Sequence, residues 1–375
     1  MMKVLMLSLE NPCAIKSGAG RYLQNQLDLL KEDIMFTVLT THRGERCFDG
    51  GGQWKMLEIP LELAAHASFE DALAEMNIQM IKKTFEYKGS FDIIHAHDDV
   101  TAPAAVYLKR ALNLPLISTV HGFESDRQKA AGRKAHPYRL LLERLLLKES
   151  GRIIVLSSMM KDFVKERSPE AAEKVRIIPN PCRKTKTVKS RPKTAPYLFS
   201  YGRFVPEKGF LQLIRAFNEL ARLQDGLELV IAGEGPLKSA YEREARSLGM
   251  EDRLTVLPFL SDQERENWLG FCEMAVFPSG YEPFGIAVQE SMAAGVPVAV
   301  GKTGGWNDFV MDFKTGFHID FTDAYEAGRK LDGLLRNKAA LRKVRQAGKA
   351  FIFDLHHPER IKKSFLKGVY SPSFE

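Results

Sequence analysis

The chain lacks any run of the roughly 18 apolar residues that a membrane span requires, and its opening apolar stretch, residues 4–9, is too short for a signal-peptide core. A cytoplasmic protein is the expectation. Cysteine is scarce: Cys13, Cys47, Cys182 and Cys272 lie far apart and form no C-x-x-C pair. That argues against a zinc site or a disulfide framework and for buried free thiols. A dinucleotide fingerprint is incomplete, because Leu23 stands where its third glycine would follow Gly18 and Gly20. The second expected strand ends in Thr40-Thr41, without an acidic ribose ligand, so a nicotinamide dehydrogenase is disfavoured. Zinc-finger spacing, a basic zipper and an aromatic RNP-like strand are missing too, and nucleic acid is not an expected partner.

What is present is an ordinary globular balance, 45% hydrophobic and 27% charged residues. At about 150 residues per domain, 375 residues suggest two or three domains. The net charge of +7 belongs to the first half, where residues 1–193 hold 31 Lys/Arg against 23 Asp/Glu and the remainder 23 against 24. The densest basic runs are 127–152 and 183–193. The second reads as a solvated interdomain linker, with a binding patch for an anionic partner as the alternative. The first carries leucines at 140–142 and 145–147, the pattern of a core-facing helix, with peripheral membrane contact as the alternative.

Apolar runs alternate with helix-like segments from end to end, which predicts an α/β protein of parallel sheets covered by helices. Strands are expected at 4–9, 35–40, 91–97, 115–121, 152–157 and 174–180, with a helix over 20–31. The pattern restarts after the Lys/Arg/Pro segment, with strands at 197–201, 227–232, 253–257, 274–278 and 296–300 and a helix over 210–223. Two Rossmann-like doubly wound domains in tandem follow, at 1–190 and 191–356, with ligands expected outside the carboxyl ends of the strands and a cleft between the domains.

Candidate chemistry sits at those strand ends. Gly18 and Gly20 lie between a strand and a helix, where backbone N–H groups can approach an anion. The strand over 91–97 runs out as His95-Ala96-His97-Asp98-Asp99, with His95 and His97 on one face, and another ends at His121. Two readings stay open there, satisfied structural histidines or a polar border to a binding cleft. The spacing of His97, Asp98 and His121 matches no standard metal-ligand set, and no metal is expected. Arg203 and Lys208 share a loop where two fixed cations could neutralise a diphosphate. Glu282 lies in a turn, Gly285 at the start of the helix after it and Glu290 deeper in that helix, beyond capping reach. A helix N-terminus for phosphate and carboxylates for hydroxyls describe the binding of a nucleotide sugar.

Arg203 to Gly209, Gly233-Glu234-Gly235-Pro236 and the Glu-x7-Glu segment from Glu282 to Glu290 together resemble glycosyltransferase family 4, the retaining GT-B transferases, over nearly the whole chain. The resemblance implies that Arg203 and Lys208 bind the donor diphosphate and that Glu290 binds the ribose hydroxyls. Glu282 would lie by the transferred sugar, while Phe284, Gly285 and Ile286 offer backbone amides, and Gly233 also belongs to the donor site. Gly18 and Gly20 would approach the phosphates from the first domain, and His121 would face sugar and acceptor. It further implies a deep interdomain cleft, a C-terminal helix (about 357–375) packed back on the first domain, and transfer without an obligatory metal or cofactor. The donor would be a UDP-sugar in first preference, with GDP or ADP as alternatives, and the acceptor a glycan, lipid-linked or small molecule.

Two departures stand out: Trp306-Asn307-Asp308 after Gly304-Gly305, and Asn180-Pro181-Cys182 in place of a frequent Asn-Gly turn. The competing readings are another GT-B activity, such as a nucleotide-sugar epimerase or a phosphorylase, and a noncatalytic carbohydrate-binding protein.

Overall fold

The computed structural model describes residues 1–15, 17–41, 54–59, 68–183, 188 and 190–371. It divides into two compact units: one comprises the described residues of Met1–Lys129, Arg133–Pro181 and Pro358–Glu375, the other Ala130–Gly132 and Cys182–His357. The basic run 183–193 lies partly outside the described residues.

In the first unit the strands are β1 (Met2–Leu7), β2 (Ile34–Thr41), β3 (Trp54–Ile59), β4 (Ile93–His97), β5 (Leu116–Val120), β6 (Arg152–Val155) and β7 (Val175–Ile177). They form one parallel sheet in the order β3-β2-β1-β4-β5-β6-β7. The apolar runs that announce these strands are the ones buried on both faces, as in Val4 to Leu7. The chain order reverses between β1 and β4, so the loops after those two strands flank the switch point where such sheets bind ligands. The leucine-rich segment forms the helix Pro137–Glu149, which turns Leu142, Leu146 and Leu147 inward and leaves Leu141 exposed. Its apolar face therefore serves the core.

The last helix, Pro358–Gly368, belongs to this unit and buries Ile361 and Phe365. Beyond it, Tyr370 is buried and its hydroxyl accepts from Gln26 Nε2 at 2.9 Å.

The second unit holds β8 (Tyr197–Tyr201), β9 (Glu228–Ala232), β10 (Leu254–Leu257), β11 (Met274–Phe277), β12 (Val298–Val300) and β13 (Phe317–His318), parallel in the order β10-β9-β8-β11-β12-β13. Its switch point falls between β8 and β11. The helix Phe210–Ala221 buries Phe210, Leu213, Ile214, Phe217 and Leu220, the one-sided spacing that made it legible.

Among the described residues, no helix is long and apolar enough to cross a membrane. Cys182 and Cys272 are free and buried, as expected. Cys13 is instead disulfide-bonded, a correction to the expectation of free thiols. Distance along the chain, on which that expectation rested, does not fix distance in space.

Candidate active site

In the second unit the switch point gathers the expected donor residues. After β8 the chain passes Gly202 and Arg203 into a short 3-10 turn, Pro206–Lys208, which Gly209 ends at φ 69° before the next helix. After β11 the 278–285 turn leads into the helix Ile286–Ala293, with Gly285 at φ 99°. The first N–H groups of that helix have no intrahelical acceptor and no side-chain cap, the arrangement in which helix N-termini receive anions. Lys208 Nζ donates to Glu282 Oε2 at 2.5 Å, joining the two loops by a charge-assisted bond. Arg203 is half exposed, with its guanidinium 3.7 Å from Glu207.

Glu290 is held by two side chains from other elements. Its Oε2 accepts from the Tyr201 hydroxyl at 3.0 Å and its Oε1 from Arg265 Nη2 at 3.4 Å. Burial opposes the charge on Arg265, but Glu290, Tyr201 and Asp262 together hold its pKa above the ordinary guanidinium value. Burial, reinforced by Glu290, raises the Tyr201 hydroxyl well above 10.0. Tyr201 and Arg265 were not expected from the sequence. Tyr201 closes a strand just before the arginine loop, which is a faint signal, whereas nothing along the chain ties Arg265 to Glu290.

Two glycines owe their place to close approach. A side chain at Gly233 would have its Cβ 1.9 Å from the Gly202 carbonyl oxygen, so Gly233 lets the β9 loop lie against the arginine loop. A Cβ at Gly285 would meet the Trp306 ring at 3.2 Å. Trp306, one of the departures, is fully buried and donates its indole N–H to the Gly301 carbonyl at 3.2 Å. It packs against Gly285 at the end of the 278–285 turn, and the buried Phe284 ring lies 5.4 Å from Phe309. Ile286 is the first residue of the helix.

In the first unit the helix begins at Gly18, two residues earlier than expected. Gly18 and Gly20 therefore lie in its first turn and not in the preceding loop. The Ser17 side chain caps this helix by accepting the Gly20 N–H at 2.9 Å, so that amide already has a partner, and Gly18 is exposed. His95 and His97 share a face, with ring centroids 4.7 Å apart. His97 Nδ1 lies 3.0 Å from His121 Nε2. The two nitrogens are turned on each other and not toward a common cation. Among the described residues no group of three or more His, Cys, Asp or Glu is placed to hold a metal ion. The other departure also has a structural partner here, since Asn180 Oδ1 accepts from Asn25 Nδ2 at 2.8 Å.

The structure thus has two parallel α/β sheets, the second with a lysine–glutamate pair and a helix N-terminus at its switch point. The comparisons agree on the class. Residues 16–183 match the family described as Glycosyltransferase Family 4 and residues 183–351 match Glycosyl transferases group 1. An uncharacterized glycosyltransferase of Bacillus subtilis (strain 168), YqgM, is 42% identical over 98% of this chain and 97% of its own length. Glycogen synthase of Mycobacterium tuberculosis (strain H37Rv) is 26% identical over 93% of this chain and 89% of its own. Among solved structures, sucrose-phosphate synthase from Thermosynechococcus elongatus superposes with a TM-score of 0.85 over the whole of both chains at 19% identity. HepE of Anabaena, in complex with UDP and glucose, gives 0.76 over 99% of this chain and 100% of its own at 17% identity. The chain belongs to glycosyltransferase family 4, and its fold is GT-B.

Proposed function

We propose that this glycosyltransferase moves a sugar from a nucleoside-diphosphate-sugar donor to an acceptor hydroxyl with retention of anomeric configuration and without need of a metal ion. The observation that carries the reading is the Lys208–Glu282 pair beside the N-terminus of the helix Ile286–Ala293. A donor diphosphate would take Lys208 and the half-exposed Arg203 as its countercharges, with the amides of Phe284, Gly285 and Ile286 completing the anion site. Glu290, held by Tyr201 and Arg265, is assigned to the ribose hydroxyls, and Glu282 to the transferred sugar.

In the transfer, the bond between the anomeric carbon and the leaving phosphate oxygen breaks, and a bond to the acceptor oxygen forms on the same face. The acceptor proton passes to the departing diphosphate, so no dedicated base is needed. Stabilising the charge that develops on that diphosphate is then the main work of the protein. A UDP-sugar is the favoured donor, supported by the HepE complex with UDP-glucose. Gly18, Gly20, Gly233 and His121 keep the roles the resemblance gives them, with residues 1–190 as the acceptor-side domain and 191–356 as the donor-side domain.

Nucleotide release from a panel of UDP, GDP, ADP and TDP sugars, with and without EDTA, tests this reading. Slow release from one donor, unchanged by EDTA, is expected. A folded sample that neither binds nor cleaves any of them would refute it. Peripheral membrane contact would run through Arg144, Lys148 and Leu141, the exposed side of the helix Pro137–Glu149.

A further inference from the structure

The first unit contains a buried histidine pair, of which the transfer reading uses His121 and leaves His97 unexplained. β4 pairs with β5 so that His97 lies beside Thr119, which brings His121, two residues further on, against the His97 ring. The rings are 5.3 Å apart and 28° from parallel. In the 3.0 Å contact between His97 Nδ1 and His121 Nε2, one nitrogen must donate and the other accept. The remaining ring nitrogens, His97 Nε2 and His121 Nδ1, are buried without a hydrogen-bond partner.

Neutral rings therefore have two arrangements, which differ in which of these two atoms carries a proton. A buried N–H without an acceptor is costlier than a lone pair without a donor, so the proton belongs where the surroundings are more negative. Around His121 those surroundings are the carboxylates of Asp98 and Glu10, both of which favour positive charge on its ring. Asp98 is fixed there. Its Oδ1 accepts the His121 backbone N–H at 2.7 Å, with the Asp98 backbone held at φ 61°, which few non-glycine residues adopt. Around His97 the nearest titratable group on its own strand is His95, whose nitrogens already meet Thr119 Oγ1 at 2.8 Å and the Tyr370 hydroxyl at 2.6 Å.

We propose that His97 is a positioning residue that donates its Nδ1–H to His121 Nε2, fixing His121 as the neutral Nδ1–H tautomer with no lone pair free to act as a base. The consequence for transfer rests on the reading that His121 faces sugar and acceptor. With its Nε2 lone pair taken by His97 and its buried Nδ1 already protonated, His121 offers the acceptor no base and leaves the acceptor proton to the departing phosphate. The groups facing the pair are His95 and Asp98 at the end of β4, Thr119 on β5, Glu10 after β1, and Tyr22 on the helix Gly18–Leu30, whose ring meets His121 edge-on at 5.2 Å. Burial lowers all three histidine pKa values, more than the Asp98 and Glu10 carboxylates restore at His121, so the pair stays uncharged at neutral pH.

The test is nitrogen–proton correlation NMR of the full-length chain with ¹⁵N-labelled histidine. The His121 signals, assigned by their loss in His121→Gln, should show a protonated Nδ1 and a bare Nε2 at pH 7 to 8. His97→Asn keeps an N–H donor near the same place and should preserve that pattern. His97→Ala should give mixed His121 tautomers, a His121 pKa that moves up toward the ordinary value, and about tenfold slower transfer with a new loss of rate on acidification. An Nε2-protonated His121 in the wild-type chain overturns the proposal, and so does an unchanged His121 spectrum in His97→Ala. If His97→Ala does not fold, the wild-type and His97→Asn spectra still decide. The tautomer is read without substrate, so failure with every donor sugar would count against the transferase reading and not against the pair.

Discussion

The two units carry the same kind of sheet and opposite kinds of strand end. In the second unit the switch point holds charges within reach of a ligand: Lys208 on Glu282, Arg265 on Glu290, and Arg203 half exposed. In the first, the corresponding ends hold His95, His97 and His121, kept neutral by burial. The strong charges nearby are spent on structure, with Arg139 bonded to Asp99 at 2.6 and 2.8 Å and to Glu124 at 2.7 Å. One geometry thus serves two electrostatic ends. The proposed function puts the donor diphosphate at the charged ends of the second unit, while the histidines of the first are bonded to one another, to Thr119 and to Tyr370.

The comparison breaks most visibly at Lys208. Lys208→Ala or Glu282→Ala should lower transfer by about a thousandfold or more while circular dichroism and melting stay near wild type. Turnover within a few-fold of normal in either variant would remove the charged half of the contrast. A smaller effect is expected one shell out. Tyr201→Phe leaves the Arg265 bond to Glu290 in place, so it should raise the donor KM by up to about tenfold with little change in kcat, the pattern of lost uniform binding. A fall in kcat alone would instead give Tyr201 a role in the transition state.

The first unit is sharpened by pH. Burial raises the Glu143 carboxyl to about 7 from an ordinary 4.5, although its Oε1 accepts the Glu124 backbone N–H. A raised acid stabilises the fold fully below its unfolded pKa, and that stability is lost as pH rises through 7. The three histidines work in the opposite direction, because their lowered pKa values withdraw stability as pH falls below 6.5. Glu143→Gln isolates the carboxyl: relative to wild type it should gain about 1–3 kcal/mol between pH 5 and pH 8. Parallel pH profiles in chemical unfolding of the two proteins would contradict this. The smallest effect concerns the basic helix Pro137–Glu149. Since Leu142, Leu146 and Leu147 face inward, pelleting with anionic vesicles should be weak and should fall with salt. Strong, salt-independent pelleting would mean that the unit hides another apolar face.

How much of this was legible in the sequence follows from what each element depends on. Strands buried on both faces, such as β1 and β8, read as apolar runs, and the strand-end residues Arg203, Lys208, His121 and Glu282 followed from them. β3 escaped because Lys55 and Glu58 interrupt a six-residue edge strand, and β13 because two residues carry no pattern. The helix starts at Gly18 and not at residue 20 because Ser17, next to two glycines that suggest a loop, caps it. Arg265 and Tyr201 were illegible for a different reason, since their bond to Glu290 joins three elements that only the folded sheet brings together. His97 was placed on the right face, but its contact with His121 depends on the β4–β5 register.

The central claim is that the charged strand ends of the second unit let a nucleoside diphosphate leave without inverting the sugar. The measurement that tests it most directly is the anomeric configuration of the sugar released from, or transferred out of, the cleaved donor, followed by proton NMR from the first minutes of reaction in excess EDTA. The account predicts a product with the donor's own configuration, formed at an undiminished rate. An inverted product, or a reaction that stops until a divalent cation is restored, would contradict it.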